Sequence, residues 1–198
     1  MTRLGWGILA IILLAGAAFA SMLSFGNGRA ALERPREDAA VADEPPPVAA
    51  RGMLPIPVAG VPATHLVDGW DQPRGGGTRV HHAIDIMAPR GTPVRAVAAG
   101  RIEKLFLSGA GGNTIYVRSP DGRLVYYYAH LDAYRPGLAE GQAVRAGETI
   151  ATVGSTGNAS PEAPHLHFEV KRMRPGERWY EGEGVNPYPL LVGSAVRR

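Results

Sequence analysis

An uninterrupted apolar run opens the chain. Arg3 precedes residues 4–25, which contain no charged side chain and are most strongly apolar from residue 8 to residue 18. Ala18-Phe19-Ala20 places small residues at the spacing that signal peptidase requires, but a run of about 20 residues also spans a bilayer when it is not cleaved. A positive charge ahead of the run keeps the N-terminus inside and directs the rest outside. Residues 1–25 therefore predict export, either with a cleaved signal peptide or with a helix retained in the inner membrane.

The pattern changes after this run. Residues 26–52 are dominated by Ala, Pro, Arg, Asp and Glu and include Pro45-Pro46-Pro47. A stretch of this composition buries too little apolar surface to offset its chain entropy. We expect a flexible linker that holds the following domain, residues 53–198, away from the membrane. The domain would then work outside the cytoplasm, in the periplasm or elsewhere in the cell envelope.

Beyond the linker, short runs of β-branched and aromatic residues alternate with glycine-rich breaks, and no long helical period appears. Between two of these runs, Pro120-Asp121-Gly122 predicts a hairpin turn. The pattern predicts an all-β antiparallel domain, a sandwich or a partly open barrel. The predicted strands are 92–99, 101–107, 114–118, 124–130, 149–153 and 166–170.

Composition restricts the chemistry of this domain. The 198 residues contain no cysteine, which excludes disulfides, thiolate zinc sites and a cysteine nucleophile. The formal net charge of +3 is small and scattered, so no nucleic-acid partner is expected. A metal ion would have to be held by carboxylates and by some of the six histidines.

Two histidines share one face of a predicted strand. In His165-Leu166-His167 the imidazoles project from the same side, while Leu166 and Phe168 project to the other side, into a core. One imidazole of such a pair can bind a metal while its neighbour transfers protons. Glu169 lies on the same face, where it is either a surface residue or a carboxylate that orients a metal ligand.

A second element is His81-x-x-x-Asp85. Four fully extended residues cover about 13 Å, which is too far for both side chains to lie about 2 Å from one zinc ion. The chain must therefore bend between them if both are ligands. The alternative is that Asp85 accepts hydrogen bonds in a turn and His81 is a surface residue.

A further histidine, His130, ends a predicted strand. It follows Tyr126-Tyr127-Tyr128-Ala129, and strand alternation predicts that Tyr126, Tyr128 and His130 share one face. The alternative to a functional role is a histidine that closes an apolar strand and bonds a nearby carbonyl. His65 and His82 belong to no paired arrangement and are expected to be structural.

Four separated stretches resemble a known family in order and spacing: HHAIDIMAPRGTPVRAVAAG, VYYYAHL, GQAVRAGETIATVGSTG and PHLHFEV. With the closing VNPYPLL, they make roughly residues 54–191 similar to the lysostaphin/LytM-type peptidoglycan metalloendopeptidases. This family carries a His-x-x-x-Asp motif, a histidine after a tyrosine-containing strand, and a His-x-His strand. The resemblance implies one Zn²⁺ ion held by His81, Asp85 and His167, with His130 and His165 as the catalytic histidines.

The resemblance also implies an activity. A zinc ion with two imidazoles and one carboxylate keeps an open position, which is typical of a catalytic site. The chain has no HExxH glutamate, so His130 and His165 would divide proton transfer and oxyanion stabilisation between them. The expected substrate is peptidoglycan, at its crosslinks or stem peptides, in a groove flanked by loops 107–113 and 154–164. The alternative is a non-hydrolytic wall-binding module or an activator of another cell wall hydrolase, and a regulatory protein partner is compatible with either function.

One position departs from the family pattern. Ala83 stands where the family usually has glycine two residues after the first ligand. Because alanine favours an ordinary backbone conformation, the local bend is expected to differ slightly.

Overall fold

A computed structural model of the chain describes residues 54–193. The predicted export segment (1–25) and linker (26–52) lie outside the described residues. Between residues 54 and 193, no helix has the length and apolar character needed to cross a membrane.

The described part of the chain is built almost entirely from antiparallel strands, which confirms the predicted all-β class. Two single turns of 3-10 helix span Ala63–His65 and Gly75–Gly77, and one short α-helix, α1, spans Tyr188–Val192. The strands are β1 (Pro73–Arg74), β2 (Arg79–Val80), β3 (Ile84–Met87), β4 (Pro93–Arg95), β5 (Gly100–Ser108), β6 (Gly112–Arg118), β7 (Leu124–Tyr134), β8 (Ala143–Val144), β9 (Thr149–Val153), β10 (His165–Arg172) and β11 (Glu183–Val185).

Nine of these strands form one sheet. Its main path runs β11-β10-β7-β6-β5-β8, while β3 pairs with β10, and β9 pairs with both β4 and β7. The predicted turn at 120–122 joins β6 to β7, with Gly122 at a φ of 72°. Strands β1 and β2 form a separate small hairpin.

The predicted strand 92–99 is shorter in the structure. Only Pro93–Arg95 pairs with β9, and the ladder is irregular after Val94. The N–H of Val97 donates to the hydroxyl of Tyr128 (3.0 Å) instead of to a neighbouring strand. This side-chain acceptor in the core replaces the ladder hydrogen bond and ends the strand early.

Strand β10 separates the core from the site. Leu166, Phe168 and Val170 are at most 1% exposed and belong to the main hydrophobic core, where each contributes about 1.5–3 kcal/mol through burial. The alternate residues His165, His167 and Glu169 line a cleft on the opposite side. The predicted two-residue alternation therefore holds along this strand.

The alternation fails on β7. Tyr126 and Tyr128 are in the main core, but His130 lines the cleft, so the prediction that they share one face is wrong. His130 has a φ of 57°. Between two successive pairs of the ladder, β6 advances by two residues, from Asn113 to Ile115, while β7 covers three, from Leu131 to Tyr128. This extra residue is a β-bulge, which re-aims the His130 side chain.

Candidate metal centre and active site

Three side chains converge on one point at the cleft floor. Asp85 on β3 lies directly opposite His167 on β10 in the strand register, and His81 precedes β3. Asp85 Oδ1 lies 3.0 Å from both His81 Nε2 and His167 Nδ1, and the two nitrogens are 3.2 Å apart. We call these three residues the ligand cluster. The structure thus brings together all three residues that the resemblance implied as ligands.

A sharp bend brings His81 back to Asp85. His82 has a φ of 52°, a left-handed conformation that is uncommon outside glycine. The N–H groups of His81 and His82 donate to Gln72 O and Trp70 O, each at 3.0 Å. The bend that the His-x-x-x-Asp spacing requires is therefore at His82, and Ala83 is buried with an ordinary backbone.

The cluster fits a metal ion by its distances. A tetrahedral zinc with ligands at about 2.0–2.1 Å sets its ligand atoms about 3.3 Å apart. The three contacts of 3.0–3.2 Å are close to this spacing. Two imidazoles and one carboxylate are also a donor set that zinc accepts.

The outward-facing ring nitrogens support the same fit. His81 Nδ1 donates to Gly69 O (3.0 Å), and His167 Nε2 donates to Glu169 Oε1 (3.0 Å). With a metal ion bound, these bonds would leave His81 Nε2 and His167 Nδ1 unprotonated and able to act as ligand atoms. Glu169 is therefore a partner of a cluster residue rather than a surface side chain.

Arg74 is a site residue that the sequence analysis missed. Its Nη2 donates to Asp85 Oδ2 (2.6 Å) and lies 3.2 Å from each ring nitrogen of His81. Arg74 is on β1, outside the sequence motifs, and it reaches the cluster because the β1–β2 hairpin forms part of the lining of the cleft. Glu169, in contrast, could be found from its position two residues after His167.

The close contacts within the ligand cluster shift the pKa values of Asp85 and His167 in opposite directions. Burial alone would raise the pKa of Asp85, but hydrogen bonds from His167 and His81 hold it well below its usual range. Burial alone would lower the pKa of His167, but hydrogen bonds to Asp85 and Glu169 raise it to about 9. In the metal-free protein at pH 7, Asp85 is thus ionised and His167 carries a proton.

His130 and His165 stand side by side next to the cluster. Their ring centroids are 4.8 Å apart, and the His130 ring is 5.6 Å from that of His167. His130 Nδ1 donates to Thr156 O and His165 Nδ1 donates to Ala163 O, each at 2.8 Å. Because Nδ1 of each ring is bonded to a carbonyl, Nε2 is the ring nitrogen left for contacts in the cleft. Burial lowers the pKa of His130 to about 4, so its ring is neutral at pH 7.

The cleft that contains these groups has a volume of about 490 Å³. Its walls include Ala110 and Gly111 from the loop after β5, and Asn158, Ala159 and Ser160 from the loop between β9 and β10. These are the two loops that were expected to flank a groove. His65 and His82 are not among its lining residues.

Residues 79–187, slightly more than half of the chain, match the model of peptidase family M23. The chain belongs to peptidase family M23. The match includes all five histidine and aspartate positions singled out above, and membership confirms the resemblance seen in the four sequence motifs.

Three curated relatives of the chain have names that specify different peptidase activities. The chain is 43% identical over 114 residues to the DD-carboxypeptidase/endopeptidase Mpg of Neisseria meningitidis, covering 58% of this chain and 23% of the relative. It is 34% identical over 128 residues to the L-Ala--D-Glu endopeptidase of Bacillus subtilis, covering 62% and 38% respectively. It is 39% identical over 112 residues to the glycyl-glycine endopeptidase ALE-1 of Staphylococcus capitis, covering 56% and 29%. The matched part thus spans well under half of each relative.

A solved M23 structure has the same fold. The catalytic domain of lysostaphin from Staphylococcus simulans aligns with a TM-score of 0.50 and 31% identity. The alignment covers 72% of this chain and 90% of that domain. The all-β architecture described above is therefore that of an M23 catalytic domain.

Proposed function

We propose that this chain is a zinc-dependent endopeptidase that hydrolyses peptide bonds in bacterial peptidoglycan. One observation carries the proposal: three ligand atoms lie 3.0–3.2 Å apart, beside two further histidines that open into the same cleft. Family membership and the names of the relatives support a peptidase. DD-, L-Ala--D-Glu and glycyl-glycine bonds are those named for the relatives.

In this proposal His81, Asp85 and His167 hold one zinc ion. Zinc bound there supplies Lewis acidity to the scissile carbonyl and lowers the pKa of water. Arg74 binds the second oxygen of Asp85 and leaves Oδ1 to face the ion. Glu169 fixes the ring orientation and tautomer of His167.

The proposed proton transfers are carried out by the two remaining histidines. His130 is neutral at pH 7 and has Nε2 free, so it accepts the proton of the attacking water. His165 opens into the same cleft, with its Nε2 3.8 Å from Asp85 Oδ1. In this proposal His165 forms a hydrogen bond to the developing oxyanion and delivers a proton to the leaving amine.

The proposed location is outside the cytoplasm. Residues 1–25 export the domain, with or without cleavage, and residues 26–52 let it reach an insoluble wall polymer. The proposal includes the linker, whose residues lie outside the described part of the chain. It also allows for a regulatory protein partner.

The test digests isolated sacculi with the full chain, purified in mild detergent and loaded with zinc. We expect new peptide termini by mass spectrometry that disappear when a chelator is added. His130→Ala and His165→Ala should keep stoichiometric zinc but lose at least about a hundredfold in rate, since a positioned acid or base contributes about 10²–10⁴-fold. His65→Ala, which is exposed, is the matched control and should retain full activity. Intact sacculi from the folded, zinc-loaded chain would refute the proposal and favour a wall-binding module or activator.

A further inference from the structure

Two arginines face each other at the mouth of the cleft. Arg74 on β1 is the register partner of Arg79 on β2, and both residues line the cleft. Side chains that are directly opposite in an antiparallel pair lie on the same face, and like charges at such positions are destabilising. The hairpin is only two residues long on each side, so this repulsion is not diluted over a long ladder. A pair that costs stability at this place calls for a functional reason.

The first of the two charges is already neutralised. Arg74 is bound to Asp85 at 2.6 Å, inside the ligand cluster. Glu169, the other acidic residue that lines the cleft, is bound to His167 at 3.0 Å and lies 3.7 Å from Lys171. Both carboxylates of the cleft are therefore occupied by partners within the protein.

The second charge has no such partner. Arg79 is exposed and forms no ion pair with any residue between 54 and 193. The loop between β9 and β10 contributes Asn158, Ala159 and Ser160 to the lining of the cleft, and none of the three is charged. A peptide that enters the cleft thus meets one guanidinium that has no ion-pair partner within residues 54–193.

A guanidinium recognises a carboxylate through two parallel, charge-assisted hydrogen bonds. We propose that Arg79 binds a free carboxylate of the substrate peptide next to the scissile bond, so that the cleft selects acidic stem peptides over neutral bridges such as oligoglycine. This inference rests on the proposed function and specifies the substrate class of the same site. It sets the expected substrate of this chain apart from the glycyl-glycine bond for which one relative is named.

The test compares two soluble peptide substrates. One is a crosslinked stem-peptide dimer with free carboxylates, and the other is the same dimer with those carboxylates converted to carboxamides. The full, zinc-loaded chain should cleave the acidic dimer with a kcat/KM about fivefold higher or more. Added salt should reduce this preference, because the arginine is exposed.

Variants then assign the preference to one residue. Arg79→Gln should lower kcat/KM on the acidic dimer by about three- to tenfold and change the amidated dimer by less than about twofold. Arg79→Lys should recover part of the loss, because it restores the charge but not the planar fork. Arg145→Gln makes the same charge change at an exposed position outside the cleft and should leave both substrates unchanged.

Two results would overturn the inference while the proposed function stands. These are equal or better cleavage of the amidated dimer by the unaltered chain, and an equal loss on both dimers in Arg79→Gln. If the unaltered chain cleaves neither dimer nor sacculi, the proposed function fails, and calorimetric binding of the two intact dimers tests Arg79 separately. Equal affinity for both would then overturn it, whereas tighter binding of the acidic dimer that Arg79→Gln abolishes would support it.

Discussion

The hydrogen bond between Glu169 and His167 gives the sharpest test of the metal site. Glu169→Gln keeps the size of the side chain and an oxygen acceptor for His167 Nε2, 3.0 Å away, but removes the negative charge. Hydrogen bonds to charged groups contribute about 1.5–3 kcal/mol, and neutral ones contribute about 1 kcal/mol. The loss of about 0.5–2 kcal/mol corresponds to a two- to thirtyfold weaker intrinsic zinc affinity, at about 1.4 kcal/mol per factor of ten.

Proton competition makes this loss depend on pH. In the metal-free protein the pKa of His167 is raised to about 9, so at pH 7 zinc must displace a proton, which weakens its apparent affinity by about a hundredfold. The Glu169 carboxylate stabilises that proton as well as the metal. Removing its charge therefore weakens the competitor too, and the two changes partly cancel at pH 7. Above pH 9 the ring is unprotonated and the full loss is expected.

The assay measures the zinc dissociation constant by competition with a chelator of known affinity at pH 7.0 and pH 9.5. We expect Glu169→Gln to lose about tenfold at pH 9.5 and about threefold or less at pH 7.0. Glu162→Gln removes the same charge from an exposed position in the loop before β10 and should match the unaltered chain at both pH values. An unchanged affinity at pH 9.5, or an equal loss at both pH values, would refute an action of Glu169 through the His167 ring.

Two further predictions concern stability. Because the pKa of His167 is about 9 in the folded, metal-free protein and about 6.5 when unfolded, its proton stabilises the fold below pH 6.5, and this contribution is lost as the pH rises through 9. In urea unfolding of the chelator-treated chain, the free energy of unfolding should decrease by about 3 kcal/mol from pH 6.5 to 9.5. The zinc-loaded chain should not show this decrease. A free energy of unfolding that does not change with pH in the chelator-treated chain would contradict the raised pKa. Gly112 has a φ of 65°, and a Cβ there would overlap Thr156, so Gly112→Ala should destabilise the domain by about 3 kcal/mol or more. Gly109→Ala, which adds a Cβ in open space, is the control. Equal stability of the two variants would contradict the prediction, because it would show that the loop containing Thr156 moves away at no cost in free energy.

The sequence predicted the structure correctly where the spacing of residues along the chain is enough to determine where their side chains lie. In β10 the alternation of Leu166 and Phe168 with the two histidines predicted both the core face and the site face, because strand geometry leaves no other arrangement. The need for a bend between His81 and Asp85 followed from chain length in the same way. Such arguments need only local geometry and the reach of a side chain.

Other features depend on contacts that periodicity does not contain. Strand β3 was not predicted, because Ile84–Met87 is short and includes aspartate, which is depleted in strands. Its pairing with β10 supplies the missing stabilisation. Arg74 was missed for a related reason, since its contact with Asp85 depends on where the β1–β2 hairpin packs in the folded domain.

The prediction for His130 failed for a reason that bears on how the site works. Within residues 54–193, His82 and His130 are the two non-glycine residues with positive φ, a conformation that costs about 1–3 kcal/mol when the surroundings impose it. Each is anchored by its own N–H, from His82 to Trp70 O (3.0 Å) and from His130 to Gly111 O (2.7 Å). The strain at His82 turns His81 toward Asp85, and the strain at His130 moves its own ring from the core face into the cleft. The fold thus loses some stability at His82 and at His130, and each of these conformations directs a histidine side chain, His81 or His130, into the same cleft.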